Sequence, residues 1–380
     1  MKRPPLRDVL GLFVSSRFLL IMVTYFGYIL LTSAKYSSEP VDIAGLFSSW
    51  NHWDAANYVS IAQYGYTSKY QLAFFPLFPL LISSVAFPFG SWGYMMAGMI
   101  ISNLALLGSM FVLYQLALEF GGDLLARRTL LYLCIFPTAL FFFAAYNESL
   151  FLFLASSFFL ALRRKQWWLA GMLGMLAALT RSLGPMLAIP YLYELWLARD
   201  SILASKKNTI AGVAPIILIP VGTLLYSFYC WKSTGNPFMF AAVQDNWARQ
   251  AAPPWSGLWQ AIVELVAVQP FGSFYQAHIL LDLGATAGFI ALLIAGWNRI
   301  RTSYSIWMAT MLVCFLLAPS LGQHDSLISN QRFVLELFPG FIVLAMLSIK
   351  YPRLHNTLVI IFPALLATLS IIFVMNRWMV

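Results

Sequence analysis

Charge is scarce in this chain of 380 residues. Lys, Arg, Asp and Glu make up 10% of it, against roughly 25% in soluble domains. With 61% hydrophobic residues and a mean hydropathy of +0.76, that excludes an ordinary soluble domain and points to a polytopic helical membrane protein. Cysteine is nearly absent. Cys134, Cys230 and Cys314 sit in or beside apolar runs with no ligand spacing, so they read as small core residues and say nothing about redox compartment. The four histidines, His52, His278, His324 and His355, form no His-x-x-x-His or Glu-x-x-His pattern, and Asp54 has no Asp-x-Asp neighbour, so no metal and no cofactor is called for. There is no Gly-rich phosphate loop, no tandem repeat, no low-complexity tract, no pair of broken segments of the inverted-repeat transporter kind, and no linker between folded domains. A cleavable leader is not expected either, because the apolar run 9–31 is too long and lacks a small-residue cleavage site. The net charge of +9 does not indicate nucleic acid, since the basic residues are scattered in short clusters between apolar runs, as in positive-inside loops.

Hydrophobic segments are abundant. Runs at 9–31, 93–118, 129–145, 149–162, 167–180, 184–197, 209–229, 276–297, 303–319, 332–349 and 355–375 read as about 11 spans in a single integral membrane domain, 1–380. Several are shorter than the ~20 residues that a straight span needs. The segment 74–89 is apolar but carries Pro76, Pro79 and Pro88, which break or kink a helix. Charge decides its placement. If it does not cross, Lys2, Arg3, Arg127, Arg128, the Arg163-Arg164-Lys165 cluster and the Arg199 to Lys207 cluster all fall on the cytoplasmic side, while Lys35 and Lys69 remain outside. If it crosses, the dense clusters lie outside, against the positive-inside rule. The expectation is therefore a cytoplasmic N-terminus, an external C-terminus and a segment 74–89 lying along the outer surface. The first outer loop, 32–92, and the second, 230–275, then share one face with the short loops at 146–148, 181–183 and 320–331. Cytoplasmic loops are short and basic, which leaves little room for nucleotide-sugar or ATP chemistry there.

The polar residues on that outer face are the candidate site. Trp50 to Pro79 reads WNHWDAANYVSIAQYGYTSKYQLAFFPLFP. Asp54 sits beside Trp50 and Trp53, where partial desolvation favours a proton-accepting role in a group transfer. Aromatic neighbours also suit the C–H faces of a sugar ring. The bland alternative is an interfacial Trp belt with an incidental acid. Asn51, His52, Asn57, Tyr58, Gln63 and Lys69 add hydrogen-bonding groups. Asn147-Glu148-Ser149 places a carboxylate between two apolar runs, which is expensive unless it is used or paired; a loop apex with a helix cap is the alternative. Arg181 lies on the outer side against the charge bias and reads as an ion-pair partner, with Glu148 as the candidate acid, or as an anion ligand. Gln323-His324-Asp325 and Asn330-Gln331-Arg332-Phe333 bring an Arg near a His, as suits a phosphate, although Arg332 could equally pair with Glu336 one turn on. Asp245, Asn246, Trp247, Arg249, Trp255 and Trp259 in the second loop read as an interfacial helix ahead of a lid over an acceptor.

Taken in order, these motifs resemble the GPI mannosyltransferase 2 (PIG-V-like) family. HWDAANYVSIAQYGY followed by AFFPLFPLL resembles its WDA, IA-x-x-GY and FFP-x-FP elements. FFFAAYNESLF resembles its aromatic run before a Glu-Ser-Leu-Phe element. Thr180-Arg181-Ser182-Leu183-Gly184 is similar to its Arg-Ser-Asn-Gly element, with Leu183 in the place of Asn, and Gln331-Arg332-Phe333 is similar to a late Arg-aromatic element. The resemblance implies a GT-C glycosyltransferase fold, with juxtamembrane helices in the first outer loop. It implies an inverting enzyme that takes a sugar from a polyprenyl-phosphate carrier, dolichyl-phosphate-mannose in the eukaryotic family, on the non-cytoplasmic face, with Asp54 as base. The compact outer loops suggest a prokaryotic relative, in the plasma (inner) membrane with its site outside; in a eukaryote the endoplasmic reticulum membrane would hold it.

The expected reaction moves a sugar, mannose by the resemblance, from such a donor to a lipid or glycan acceptor. Arg332 balances the leaving phosphate, helped by His324, Lys69 and Gln331. Trp50, His52, Trp53 and Tyr58 shape the sugar pocket, and Asn147, Glu148 and Arg181 position substrate. Membrane lipids surround the chain, which is expected to act as a monomer. Three alternatives stand beside this: a lipid or glycolipid transporter, a non-catalytic partner subunit, and a GT-C enzyme using a different polyprenyl-phosphate sugar. The topology gives a direct test. A cysteine replacing Ser91 reacts with an impermeant reagent added from outside, and one replacing Ser205 does not; the opposite pattern overturns the arrangement.

Overall fold

In a computed structural model the described residues are 5–33, 40–86 and 90–378. Lys2, Arg3 and Lys35 of the charge argument, and residues 87–89 with Pro88, lie outside them. The chain is an all-α polytopic membrane protein. Five helices are long and apolar enough to cross a membrane: Leu6–Thr32, Gly93–Ile135, Lys206–Thr234, Phe274–Gly296 and Pro352–Val374. Asn330–Glu336 and Phe338–Lys350 meet at 86° and make a sixth if counted as one broken span. The shorter runs of the sequence become helices of 10–17 residues, among them Leu77–Ala86, Trp167–Ala178, Ser256–Val268 and Thr302–Leu317. At 1.5 Å per residue the ten-residue Leu77–Ala86 helix is about 15 Å long, half the ~30 Å hydrocarbon thickness. Pro79 falls in its first turn, where a missing N–H is tolerated.

The described residues fall into two compact units. The first comprises residues 1–65, 79–150 and 344–379, and the second residues 66–78 and 151–343, with 380.

In the first unit the helices Leu6–Thr32, Ser91–Ile135 and Pro352–Val374 pack against one another. Gly27 gives close approach to Ile371. The Ser91–Ile135 element is two helices joined at Gly121–Gly122; Gly122 has φ 69°, a left-handed conformation that glycine adopts without a Cβ penalty. An irregular stretch comes next, with a 3₁₀ turn at Ala139–Phe142. One face of the preceding helix straps it down. Ser102 Oγ donates to the Tyr146 carbonyl at 2.7 Å, Asn103 Nδ2 donates to the Phe143 carbonyl at 3.1 Å, and Gly98 lets Ala145 approach. Arg17, buried in the first helix, donates to Asn103 Oδ1 at 3.3 Å.

In the second unit the end of the FFPLFP element is fixed by a tyrosine. Tyr226 hydroxyl donates to the carbonyls of Leu72 (2.8 Å) and Phe74 (3.2 Å), its ring packs on Phe75 at 4.7 Å, and Leu77 N–H donates to the Leu179 carbonyl at 3.0 Å. The helices Trp167–Ala178 and Leu218–Thr234 approach through small residues, the way helices associate in lipid. Gly222 lies against the Met175 carbonyl and the Ala178 methyl, and Gly174 against Ile219. A Gly222→Val variant drives a branched side chain into backbone that cannot move aside. It lowers stability by about 1–3 kcal/mol, the usual overpacking penalty, read as a lower unfolding midpoint in detergent, while a substitution at Gly284, where a Cβ meets open space, leaves the midpoint unchanged.

Candidate active site

Asp54 opens the 11-residue helix Asp54–Tyr64 in the first unit. A carboxylate in the first turn is favoured by the partial positive charge of the helix start. The residue before it, Trp53, has φ 56° and ψ −124°. A non-glycine residue in this region stores strain, and strain of this kind collects at functional sites. Two contacts hold Trp53 there: Asn57 Nδ2 donates to its carbonyl at 3.2 Å, and its ring meets Trp378 edge-on at 4.7 Å. Just before Asp54 in the chain, two buried polar atoms have no hydrogen-bond partner among the described residues, Trp53 Nε1 and Asn51 Oδ1. One is a donor and the other an acceptor. Buried polar groups are ordinarily satisfied, so this pair is suited to ligand hydroxyls.

The other aromatics of the motif have a different task. Trp50 is 4% exposed and packs edge-on against Phe143 at 4.8 Å and beside Phe373 at 5.5 Å. His52 lies against Phe373 as well, and burial holds its imidazole below the ordinary histidine range, hence neutral at pH 7. Tyr58 is buried on the inner face of the helix. These three support the loop from beneath. Asn147 and Glu148 are also buried, at 4% and 1% exposure, and Glu148 opens the helix Glu148–Arg163, where its charge meets the favourable end of the dipole.

The second unit gathers cations. Arg181, Arg249 and Arg332 all lie over the ring of Phe333, with guanidinium carbons 5.3, 5.2 and 5.2 Å from its centroid. The ring quadrupole attracts each cation, and together they concentrate positive charge. Burial, with Arg332 and Arg181 adding repulsion, brings Arg249 down to about 10, so all three carry charge at pH 7. Three carboxyls accompany them. Glu336, 1% exposed, pairs with Arg181 Nη1 at 2.5 Å. The sequence offers Glu148 as the acid for Arg181; the bend at Leu337, whose ψ of 59° is non-helical, and Pro339 just beyond it end the short helix where Glu336 also reaches that arginine. Asp282, fully buried in the helix Phe274–Gly296, accepts the Gln331 backbone N–H on Oδ1 at 2.7 Å. Asp325 accepts the Leu327 N–H on Oδ1 at 2.9 Å.

Of the predicted donor ligands, Gln331 and Arg332 lie in this cluster. Lys69 is exposed at the start of the 3₁₀ turn Lys69–Ala73, and His324 is exposed and stacked on Tyr275 at 4.3 Å. Arg249, which the sequence reads only as part of an interfacial helix or lid in the second loop, joins Arg181 and Arg332 over Phe333. Its guanidinium donates to the carbonyls of Ala318 (3.3 Å) and Ile328 (3.1 Å), while its backbone forms an antiparallel bridge with Ser320. The one available signal was an arginine on the outer side among the aromatics of the second loop. Among the described residues no three His, Cys, Asp or Glu side chains converge as a metal group.

No family model matches the chain. A GPI alpha-1,6-mannosyltransferase 2 from Mus musculus is 36% identical over 152 residues, 37% of this chain and 31% of that protein. The Rattus norvegicus protein of the same name is 32% identical over 202 residues, 48% and 41% of the two chains. The chain is a homologue of the GPI mannosyltransferase 2 proteins. It spans less than half of the length of these relatives. Crystalline ArnT from Cupriavidus metallidurans bound to undecaprenyl phosphate superposes with a TM-score of 0.51 at 14% identity, over 90% of this chain and 62% of ArnT. The fold is therefore that of the GT-C glycosyltransferases, as the motifs of this homologue imply.

The Arg181–Glu336 pair gives a test of the cation cluster. Arg181→Met takes a cation away from the buried Glu336 carboxylate and costs about 3–5 kcal/mol. Adding Glu336→Leu to the same chain restores most of the loss, measured as unfolding midpoints of the single and double variants.

Proposed function

We propose that the chain is an inverting mannosyltransferase. It moves mannose from a polyprenyl-phosphate-mannose donor to a hydroxyl of a lipid or glycan acceptor on the non-cytoplasmic face of the membrane. The observation that carries this reading is the convergence of Arg181, Arg249 and Arg332 on Phe333 in a chain with the fold of ArnT, a protein crystallised with undecaprenyl phosphate. The mannosyltransferase names of its relatives supply the sugar.

The step is a single displacement. The Asp54 carboxylate takes the proton of the acceptor hydroxyl as that oxygen forms a bond to C1 of the sugar. The C1–O bond to the phosphate breaks, and the lipid phosphate leaves with the electron pair. One displacement inverts the anomeric centre. A phosphate leaving group gains more from preorganised cations than from a proton donor, and planar guanidinium groups suit it. Trp53 Nε1 and Asn51 Oδ1, the two unsatisfied atoms just before the base in the chain, hold acceptor or sugar hydroxyls.

Purified chain supplied with polyprenyl-phosphate-mannose and a panel of lipid and glycan acceptors forms a mannoside of inverted configuration. Asp54→Asn lowers kcat by about 10²–10⁴, the usual contribution of a positioned general base, with little effect on donor KM. Arg332→Gln mainly raises donor KM. Absence of any glycoside with mannose or another polyprenyl-phosphate sugar, together with facilitated movement of the lipid across vesicles, favours a lipid transporter instead.

A further inference from the structure

The carboxyls of Asp282 and Asp325 lie within hydrogen-bonding reach of each other in the second unit, and their exposures are 0% and 6%. Asp282 is fully engaged: Oδ1 takes the Gln331 N–H at 2.7 Å and Oδ2 faces Gln331 Nε2 at 3.5 Å. Asp325 uses only Oδ1, for the Leu327 N–H at 2.9 Å, and its buried Oδ2 has no partner among the described residues. The orphan oxygen on one acid beside a fully engaged second acid is the arrangement in which a proton on Oδ2 completes the hydrogen bonding. Two carboxylates this close in a low-dielectric site do not both ionise readily.

Other charged groups bear on the pair. Arg249 acts on Asp282 from the second outer loop, and Glu264, at the end of the Ser256–Val263 helix, adds negative charge at Asp325. Arg332 and Arg181 share the Phe333 ring with Arg249 and repel it. His324, next in sequence, is turned to Tyr275. Burial drives the Asp325 carboxyl above its ordinary range, and Glu264 adds to it. Arg249 is also mechanically tied to this loop, because its two donors grip the carbonyls of Ala318 and Ile328 on either side of Asp325.

We propose that the Asp282–Asp325 pair carries one shared proton and sets the affinity of the arginine cluster for a phosphate group, with Asp325 as a positioning residue. With one proton aboard, the pair leaves Arg249 charge to spare for a phosphate oxygen. With both acids ionised, a second negative charge stands against the same arginine and competes with the ligand. The inference rests on the phosphate-binding reading of the cluster, and it adds a pH-dependent control to it.

The experiment uses the full chain in nanodiscs and the methyl ester of a short-chain polyprenyl phosphate. This diester is a monoanion throughout pH 5–9, so any pH dependence belongs to the protein. Binding is followed by tryptophan fluorescence. In the wild-type protein affinity falls by about tenfold as pH rises through the titration of the pair, the order expected for one unit charge about 10 Å away at an effective dielectric constant of about 20. Asp325→Asn, which keeps the shape and the N–H of a protonated acid, holds the low-pH affinity at every pH. Unfolding midpoints give an independent readout. A folded-state value raised above the unfolded one stabilises the fold at low pH and loses that contribution as pH rises through it, so the wild-type midpoint falls with rising pH and that of Asp325→Asn falls less. Diester binding that is flat with pH in the wild type, or that keeps its slope in Asp325→Asn, overturns this inference alone. No diester binding at any pH overturns it together with the phosphate reading.

Discussion

The second unit depends on a carboxylate holding a backbone N–H. Asp282 sits in a membrane helix and accepts the Gln331 amide at 2.7 Å. One turn on, Thr286 Oγ1 accepts from Asn330 Nδ2 at 3.1 Å. These two bonds fix the start of a short helix that begins at a strained residue, Ser329 with φ 71°, and is cut off by the 86° bend before Phe338. Helix starts leave amides unsatisfied, and inside a membrane protein an unsatisfied amide is costly. Asp282 therefore does more than fill a polar gap. By anchoring residues 330 and 331 it determines where the side chains of Arg332, Phe333 and Glu336 emerge, and so where three arginines can share one aromatic ring.

The neighbourhood of Asp54 obeys the same rule with different parts. Its helix start is reached through Trp53 at a positive φ, and that strained residue is pinned by Asn57 from the next turn and by Trp378. Beside it, Trp50 and His52 lie against Phe373, and Trp50 also meets Phe143. Phe143 belongs to the stretch that Ser102 and Asn103 strap to the neighbouring helix. The aromatic richness of the motif is thus divided: Trp50 packs inward, while among the described residues Trp53 and Asn51 each keep a buried polar atom without a partner.

Much of this was legible in the sequence. Scarcity of charge and long apolar runs give the fold class, and the order of the WDA, NES and QRF elements gives the resemblance to the GPI mannosyltransferase 2 proteins. The short Leu77–Ala86 helix is explained by three prolines in a stretch of 16 residues. Less legible was the partner of Arg181. Glu336 lies far along the chain, and a break at Leu337 is needed to bring it round, which hydropathy does not register. Arg249 was illegible for a similar reason. Its bonds go to backbone carbonyls at 318 and 328, and a carbonyl leaves no mark in a sequence. Asp282 belongs to no motif that the sequence displays, because its principal partner is a backbone amide. Hydropathy alone does not register where an apolar run ends as a helix of 10–17 residues and where it extends to a full span.

Arg249 recognises the ends of a loop by their main chain, and this bears on how such a chain can diversify. Nothing in its two bonds reads the side chains of Ala318 or Ile328. The stretch enclosed by those carbonyls, including exposed Gln323 and His324, can exchange its composition without loosening the brace. A lineage can therefore rewrite what that loop presents to its surroundings while the three arginines over Phe333 keep their geometry, so that change at the surface is uncoupled from constancy within.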